Sequence, residues 1–599
     1  MSGRGVAAMV LACAWGLGPG GGSAAAQPDV PGKVAIAFNR YYTVPELHAH
    51  VRAIAAAYPE LVRVEVLGES LRGREMLLAI VNNPATGPHD SKPAMWIDGN
   101  IHGNEIQASE VVLYTLWYLS KAAGRVPEID RLLERYSFYL LVSLNPDGRD
   151  NWFENPNTSS SSRSNSRPVD DDRDGRFDED GPDDLDGDGS VTQMWRPDPN
   201  GDWVRSQTDP RVFVRVKPGE RGTWAWAGSE GIDNDGDGRI NEDGRGGDDM
   251  NRNRPSDWRP DYVQFGAGPY PLSAPETRAV ADWIFAHDNI AAVQSYHNAG
   301  GMILRGPGVE QRQDAYRGDL RVYDEIAQTG EKLLPYYRYL QTWKDLYPVH
   351  GGLVNWTFES LGIISFTNEM WTNAKYFQRE AGEPDDESMW LLRDKVQFGQ
   401  VFKDYAPFAH PEYGEVLIGG PNKWSSRATP TFLLEEECHR NFAFTMLHAG
   451  EMPVLRFDRV EVEALGPRAG GGMEGGGLWQ VTLSVRNDRL IPTRTARARE
   501  VRSGRSDLLT VEGAPPGAAT VLAAGRLGGW FDHQMEEVRF EPARVQVPEG
   551  IPGRGERVFR FIIAGARGAR VNVAYDALKA ARIVREVVLE EAPAPERGD

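Results

Sequence analysis

Cysteine is almost absent from this chain, with two among 599 residues. Cys13 falls inside an N-terminal apolar stretch, so Cys438 stands alone in the expected mature protein and no internal disulfide is available to it. Stability must then come from a packed core, for which a hydrophobic content of 40% is ordinary. Basic charge is also in deficit. Lys and Arg number 66 against 86 Asp and Glu, a net charge of −20 that argues against nucleic acid as a partner and against an anionic membrane surface. Past the N-terminus no run approaches the ~20 apolar residues that cross a bilayer, so no transmembrane segment is expected. The N-terminus reads as an export signal, with Arg4 as its basic region, Val6 to Leu17 as its apolar core and Ser23-Ala-Ala-Ala26 as its cleavage site. Residues 1–26 are therefore expected to be removed and the protein to be secreted, periplasmic or extracellular. The alternative is a lipoprotein signal, Val10-Leu-Ala-Cys13, with lipid attached through Cys13.

What is present is a set of short apolar runs that end in metal-binding side chains. Pro93-Ala-Met-Trp-Ile97 leads into Asp98-Gly-Asn-Ile-His-Gly-Asn-Glu105, and a helical pattern follows from about Ile106 to Lys121. An imidazole and a carboxylate three residues apart, His102 and Glu105, can turn to one divalent ion. Ala291-Ala-Val-Gln-Ser-Tyr-His297 is a second apolar strand ending in histidine, and Gly362-Ile-Ile-Ser-Phe-Thr-Asn-Glu369 a third, ending in a carboxylate. Open α/β sheets place ligands beyond the carboxyl ends of their strands. Two imidazoles and two carboxylates are therefore expected at one rim.

With these segments in place, the chain resembles the zinc carboxypeptidase family of the pancreatic carboxypeptidase A type, the M14 peptidases, from about Phe38 to Gly450. The resemblance includes Gly68-Glu-Ser-Leu-Arg-Gly-Arg-Glu75, the His102/Glu105 motif, Asn145-Pro-Asp-Gly148, Met194-Trp-Arg196, Asn251-Arg-Asn253, His297, Tyr347 ahead of Gly351-Gly352, and Glu369, in the family's order. It implies an α/β fold, a mixed open sheet flanked by helices, with Zn2+ held by His102, Glu105 and His297. It implies further that Glu369 is the general base that takes a proton from the attacking water and passes it to the leaving amine. Arg196 falls where the family polarises the scissile carbonyl. Asn251 and Arg252 fall where the substrate's terminal carboxylate is gripped, and Tyr347 where a mobile tyrosine closes over it. Counting from Gly351-Gly352, Val354 takes the pocket-floor place, which favours an apolar or aromatic C-terminal residue; His350 in the same loop reads as a loop histidine.

Between Asn145-Pro-Asp-Gly148 and Asn251 the connection is much longer than the family's. It opens with a Ser/Asn run, Asn157 to Asn165, that reads as flexible. Three acidic loops follow, carrying Asp170, Asp172 and Asp174, then Asp184, Asp186 and Asp188, then Asp233, Asp235 and Asp237, each set before a turn glycine. Alternating aspartates can wrap a hard cation, and Ca2+ fits best. None has Glu at the twelfth position, and a solvated acidic surface is the plain alternative.

After Glu451 the texture changes to strand-length segments such as Val454–Val462, Trp479–Val485 and Arg557–Ile563, separated by Gly- and Pro-rich turns. A C-terminal β-sandwich domain is expected over 452–590, beside a catalytic domain at 35–450 whose acidic insertion spans about 157–248. The expected activity is an exported zinc carboxypeptidase acting on peptide or protein substrates. Its alternatives are an M14-type amidase or peptidase on peptidoglycan peptides or other conjugates, and an inactive, calcium-dependent binding protein. Retention of every implied ligand, of Glu369 and of Arg196 argues against the last.

Overall fold

The computed structural model describes residues 30–170, 173–378, 386–467 and 476–591. The expected leader with Cys13, Asp172 of the first acidic loop and the tail from 592 lie outside the described residues. Eight strands form the main sheet: β1 (Val62–Glu69), β2 (Glu75–Val81), β3 (Ala94–Gly99), β4 (Ser137–Leu141), β5 (Ile290–Asn298), β6 (Met302–Arg305), β7 (Arg338–Gln341) and β8 (Ile364–Met370). Their order across the sheet is β1-β2-β4-β3-β5-β8-β6-β7. The central neighbours β4, β3, β5 and β8 run parallel, while β1, β2 and β6 pair antiparallel, so the sheet is mixed.

The central strands are buried on both faces, which is why β3, β4 and β5 read as continuous apolar runs and do not alternate. Helix α1 (Val44–Ala57) and helix α2 (Gln107–Ala122) cover one face. Helix α1 starts on a capping box, in which the Thr43 backbone N–H donates to Glu46 Oε2 at 2.9 Å. The helix Leu434–Gly450 packs beside α2 and buries Cys438 completely, in keeping with a packing cysteine. Among the described residues no helix is long and apolar enough to cross a membrane.

The insertion builds more structure than its composition suggested. Strands Gln193–Pro197, Trp203–Arg205, Phe213–Arg215 and Trp224–Ser229 join the hairpin Phe402–His410/Gly414–Pro421 in a six-stranded second sheet. Met194, Val416 and Ile418 form its small core. The sequence signal was weak because three of the four inserted strands have no fully buried residue.

Residues from Leu455 onward form two antiparallel sheets of five and four strands. Trp479, Val481, Phe559 and Phe561 from one and Leu509, Val511 and Val573 from the other share a single core, the packing of a β-sandwich. This domain grips the α/β one. Asp319 accepts from the backbone N–H groups of Ala496 and Arg497, both at 2.9 Å, and Thr495 Oγ1 donates to the Gly362 carbonyl at 2.7 Å. Arg497 Nε donates to the Glu359 carbonyl at 2.7 Å, so the sandwich holds the chain just before β8.

Candidate active site

The parallel register decides what meets at the sheet's rim. Asp98 on β3 lies opposite Ser295 on β5, and His297 on β5 lies opposite Glu369 on β8. Ser295 Oγ donates to Asp98 Oδ1 at 2.7 Å, which pins β3 to β5 just below the point where both strands end. The turn after β3 carries His102 and Glu105. Gly103 in that turn has no room for a side chain, because a Cβ there would stand 2.4 Å from the carbonyl oxygen of Ser162. The buried Arg149 fixes the start of α2: Nη2 donates to Glu110 Oε1 at 2.6 Å and Nε to the Tyr42 carbonyl at 3.0 Å.

His102, Glu105 and His297 converge, each at most 2% exposed, with their ligand atoms all within 4.8 Å of one another. Glu105 Oε1 lies 2.8 Å from His102 Nδ1, and Oε2 lies 2.8 Å from His297 Nδ1. The two Nδ1 atoms face each other at 3.2 Å. His102 Nε2 meets Asp249 Oδ1 at 3.1 Å, and if Nε2 carries the proton, Nδ1 presents its lone pair to the cluster. Burial by itself would raise the Glu105 carboxyl, but the two imidazoles hold it well below the usual carboxylate range. Asp249 is likewise held low against its burial, by Arg252 and Arg163. Two imidazole nitrogens and one carboxylate, closing on a common point with an outer-shell acid fixing a tautomer, fit a zinc ion.

Glu369 stands at the end of β8, beside His297 and outside this ligand trio. Burial and the nearby Glu105 charge push its carboxyl up to about 7. Arg252 is 6% exposed, donates through Nη1 to the Asn251 carbonyl at 2.8 Å, and sits 6.0 Å from the ring centre of Tyr347, which is 51% exposed. Gly351, at φ +67°, lets the Tyr347–Val354 segment close on this loop, since a Cβ would lie 2.1 Å from the Arg252 carbonyl oxygen. Asn251 Oδ1 accepts from the Leu353 N–H at 2.9 Å, so the Asn251 side chain caps the helix Leu353–Glu359 that buries Val354. His350 is tied to Asp257 Oδ2 at 2.8 Å, as a loop histidine would be.

Arg196 is not brought to this cluster. It lies on the second sheet with its side chain 45% exposed, 3.5 Å from Asp198 and beneath the ring of Tyr413. Arg163 is brought there instead: Nε donates to Asp249 Oδ2 at 3.0 Å and Nη1 to Glu105 Oε1 at 3.3 Å. The Ser/Asn run that carries Arg163 is packed down, contrary to its flexible reading. Asn145 Nδ2 donates to the Ser164 carbonyl at 3.0 Å, the Gly103 N–H to the Arg163 carbonyl at 3.0 Å, and Ser162 Oγ to the Gly148 carbonyl at 2.7 Å. Arg427 also approaches, 3.8 Å from Glu105 Oε1. Of these missed residues, Asp249 had a signal in standing two places before Asn251, and Arg163 in being the one cation of a Ser/Asn run; Arg427 had none.

The acidic loops are partly assembled. Asp174 and Glu179 of the first loop meet Asp235 of the third, as do Asp180 and Asp233, across a bridge between Asp180 and Asp243. Asp170 Oδ2 and Asp233 Oδ2 each accept from the loop glycine five residues on, at 3.2 and 2.9 Å, and Asp237 groups with Asp235 and Glu242. In the middle loop Asp184, Asp186 and Asp188 group together, and Lys403 pairs with Asp186 and lies 3.1 Å from Asp188. Asp184 accepts from the backbone N–H groups of Asp188 and Gly189.

Comparison with known proteins completes the description. The family model described as zinc carboxypeptidase matches residues 47–201 and 225–391, more than half of the chain, and a model described only as a domain of unknown function matches 454–588. Human carboxypeptidase D is 33% identical over 132 residues, covering 22% of this chain but 9% of its own length. Pig carboxypeptidase A1 is 24% identical over 364 residues, 59% of this chain and 68% of its own. The chain thus spans about a tenth of the first of these relatives and two thirds of the second. Among solved structures, thrombin-activatable fibrinolysis inhibitor matches at 16% identity and TM-score 0.41, covering 69% of this chain and 74% of the other. Carboxypeptidase A from Helicoverpa armigera matches at 15% identity, with the same TM-score of 0.41 and the same coverage of 69% and 74%. With more than half of its length matched by the family model and the His-Glu-His cluster at the rim of its sheet, the chain belongs to the zinc carboxypeptidase family.

Proposed function

We propose that this protein is an exported, zinc-dependent carboxypeptidase that hydrolyses the C-terminal peptide bond of peptides ending in apolar or aromatic residues. One observation carries the reading: Asp249 is shared between the two halves of the site. It meets His102 of the ligand cluster on one side, and the Arg252 charge is the strongest influence holding it ionised. A substrate carboxylate gripped by Arg252 would then lie on the Asp249 side of the cluster, which supports an exopeptidase.

His102, Glu105 and His297 would hold the ion, which when bound supplies Lewis acidity and makes water a stronger acid. The remaining roles fall to the chain itself. Glu369 accepts a proton from the attacking water and returns it to the departing amine, a task suited to a carboxyl that burial and the Glu105 charge push up to about 7. Arg163 takes the role that the sequence order gave to Arg196. Its guanidinium is fixed by Asp249 and Glu105 at the cluster, and a cation there would stabilise the charge that develops on the scissile carbonyl oxygen. Tyr347 is exposed enough to swing over a bound terminus. Val354, which the family order puts at the pocket floor, carries no charge, which supports an apolar preference.

Metal analysis tests the ligand assignment. One zinc per chain is expected in the purified protein, with His102→Ala and His297→Ala each losing it along with hydrolysis. Full zinc and full hydrolysis in either variant would sink the assignment.

A further inference from the structure

The family match ends at residue 391, yet the chain continues to pack against the catalytic domain before the helix Leu434–Gly450. After the Phe402–Pro421 hairpin it returns along the site. Arg427 Nη1 donates to the Asn298 carbonyl at 3.2 Å, and Asn298 Nδ2 donates back to the Arg427 carbonyl at 3.2 Å. Two residues on, the Thr429 N–H donates to Gln107 Oε1 at 3.0 Å, and Tyr41 OH donates to the Thr429 carbonyl at 2.7 Å. Residues 427–429 are thus a fixed stretch of chain that starts beside the ligand cluster.

Against that stretch lies a groove of about 450 Å³, lined by Tyr41, Phe398, Val401, Trp424, Ala428 and Phe432 among others. None of its lining residues is charged, in a chain whose net charge is −20. Phe398 is 79% and Phe432 56% exposed, so two phenyl rings at this groove face water. Phe398 also holds φ at +54°, a backbone conformation that bulky side chains rarely adopt.

The groove is joined to the ligand cluster through Arg427. Its guanidinium lies 3.8 Å from Glu105 Oε1, and the next two residues, Ala428 and Thr429, line the groove. A peptide that leaves the cluster past Asn298 and Arg427 therefore meets the groove next. From Arg427 to Phe432 the chain spans at most ~17 Å, a distance that about five residues of extended peptide cover.

We propose that this groove is a substrate subsite: it takes an apolar or aromatic side chain two to five residues upstream of the scissile bond. The proposal rests on the carboxypeptidase reading and deepens it, because it makes the substrate a peptide of some length and not a minimal acyl-dipeptide.

The test uses three substrates with the same C-terminal residue: an acetyl-dipeptide, an octapeptide with glycine and serine throughout its upstream half, and the same octapeptide with Leu or Trp placed there in turn. For the wild type, kcat/KM should rise roughly tenfold with the apolar residue and differ little between the dipeptide and the Gly/Ser octapeptide. Phe398→Ala with Phe432→Ala should erase that rise and leave the dipeptide rate unchanged; both rings face water, so folding should survive, and an unchanged thermal midpoint confirms it. No dependence on the upstream side chain, or an equal loss on the dipeptide, would overturn the subsite. Binding of the two octapeptides to the Glu369→Gln protein reads the groove without turnover, and a roughly tenfold difference in Kd is expected. Equal Kd values would overturn the groove whatever hydrolysis shows, whereas unequal Kd values with no hydrolysis of any substrate by the wild type would overturn the carboxypeptidase reading and leave the groove standing.

Discussion

Glu369→Gln is expected to lower kcat by on the order of 10²–10⁴-fold while bound zinc stays stoichiometric. The carboxyl stands at the end of β8, next to His297 in register but outside the trio of ligand atoms, so the amide leaves the metal cluster intact. What it removes is the capacity to accept a proton. The glutamate's place, with burial and Glu105 pushing its carboxyl up to about 7, suits a group that takes and returns a proton in one cycle. Because the change acts on the chemical step, KM should move far less than kcat. Parallel measurement of kcat and metal content decides the matter: near-normal turnover would remove Glu369 from the mechanism, and lost zinc would make it a ligand.

Arg163 and Arg196 provide the second large effect, as a contrast. Arg163→Ala should reduce kcat by roughly 10²–10³-fold, the usual cost of losing one donor to a developing oxyanion, and Arg196→Ala should stay within about twofold of wild type. Arg163 is bonded to both Glu105 and Asp249, whereas Arg196 is half in solvent beside Asp198. Removing Arg163 also leaves two buried carboxylates short of a cation, so zinc content must be read on the same samples. A variant that keeps zinc and loses turnover supports the role. The reverse ranking, with Arg196→Ala crippled and Arg163→Ala active, would restore the order of the sequence motifs over the geometry.

The contrast shows where sequence reading stops. His102, Glu105, His297 and Glu369 were legible because each ends an apolar strand or follows one closely, and parallel strands deliver their ends to a common rim. The nearness of Arg252 to Tyr347 was legible through the order of family motifs. Arg163 was not, because its position depends on the Asn145 side chain and the Gly103 turn holding a Ser/Asn run against the site, contacts with no periodicity. Met194 and Trp195 of Met194-Trp-Arg196 are packed in the second sheet, while the neighbouring Arg196 side chain is 45% exposed beside Asp198. The second sheet escaped notice for a related reason: it pairs inserted strands with a hairpin some two hundred residues later, and its core is a handful of side chains. The C-terminal sandwich, with its long alternating strands, was plain from the pattern; its grip on the chain before β8 was not.

The central claim is that one site both binds a terminal carboxylate and cuts the bond beside it. The most direct test is the rate at which the zinc-loaded wild-type protein releases the last residue from one peptide with a free C-terminus and from the same peptide with an amidated C-terminus. With Arg252 as the clamp, amidation should cost about 2–4 kcal/mol of transition-state binding, a loss of roughly thirty- to a thousandfold in kcat/KM, and Arg252→Ala should lower the free peptide toward the amidated level. Equal cleavage of the free and amidated peptides would contradict the account and point to an endopeptidase or amidase built on the same cluster.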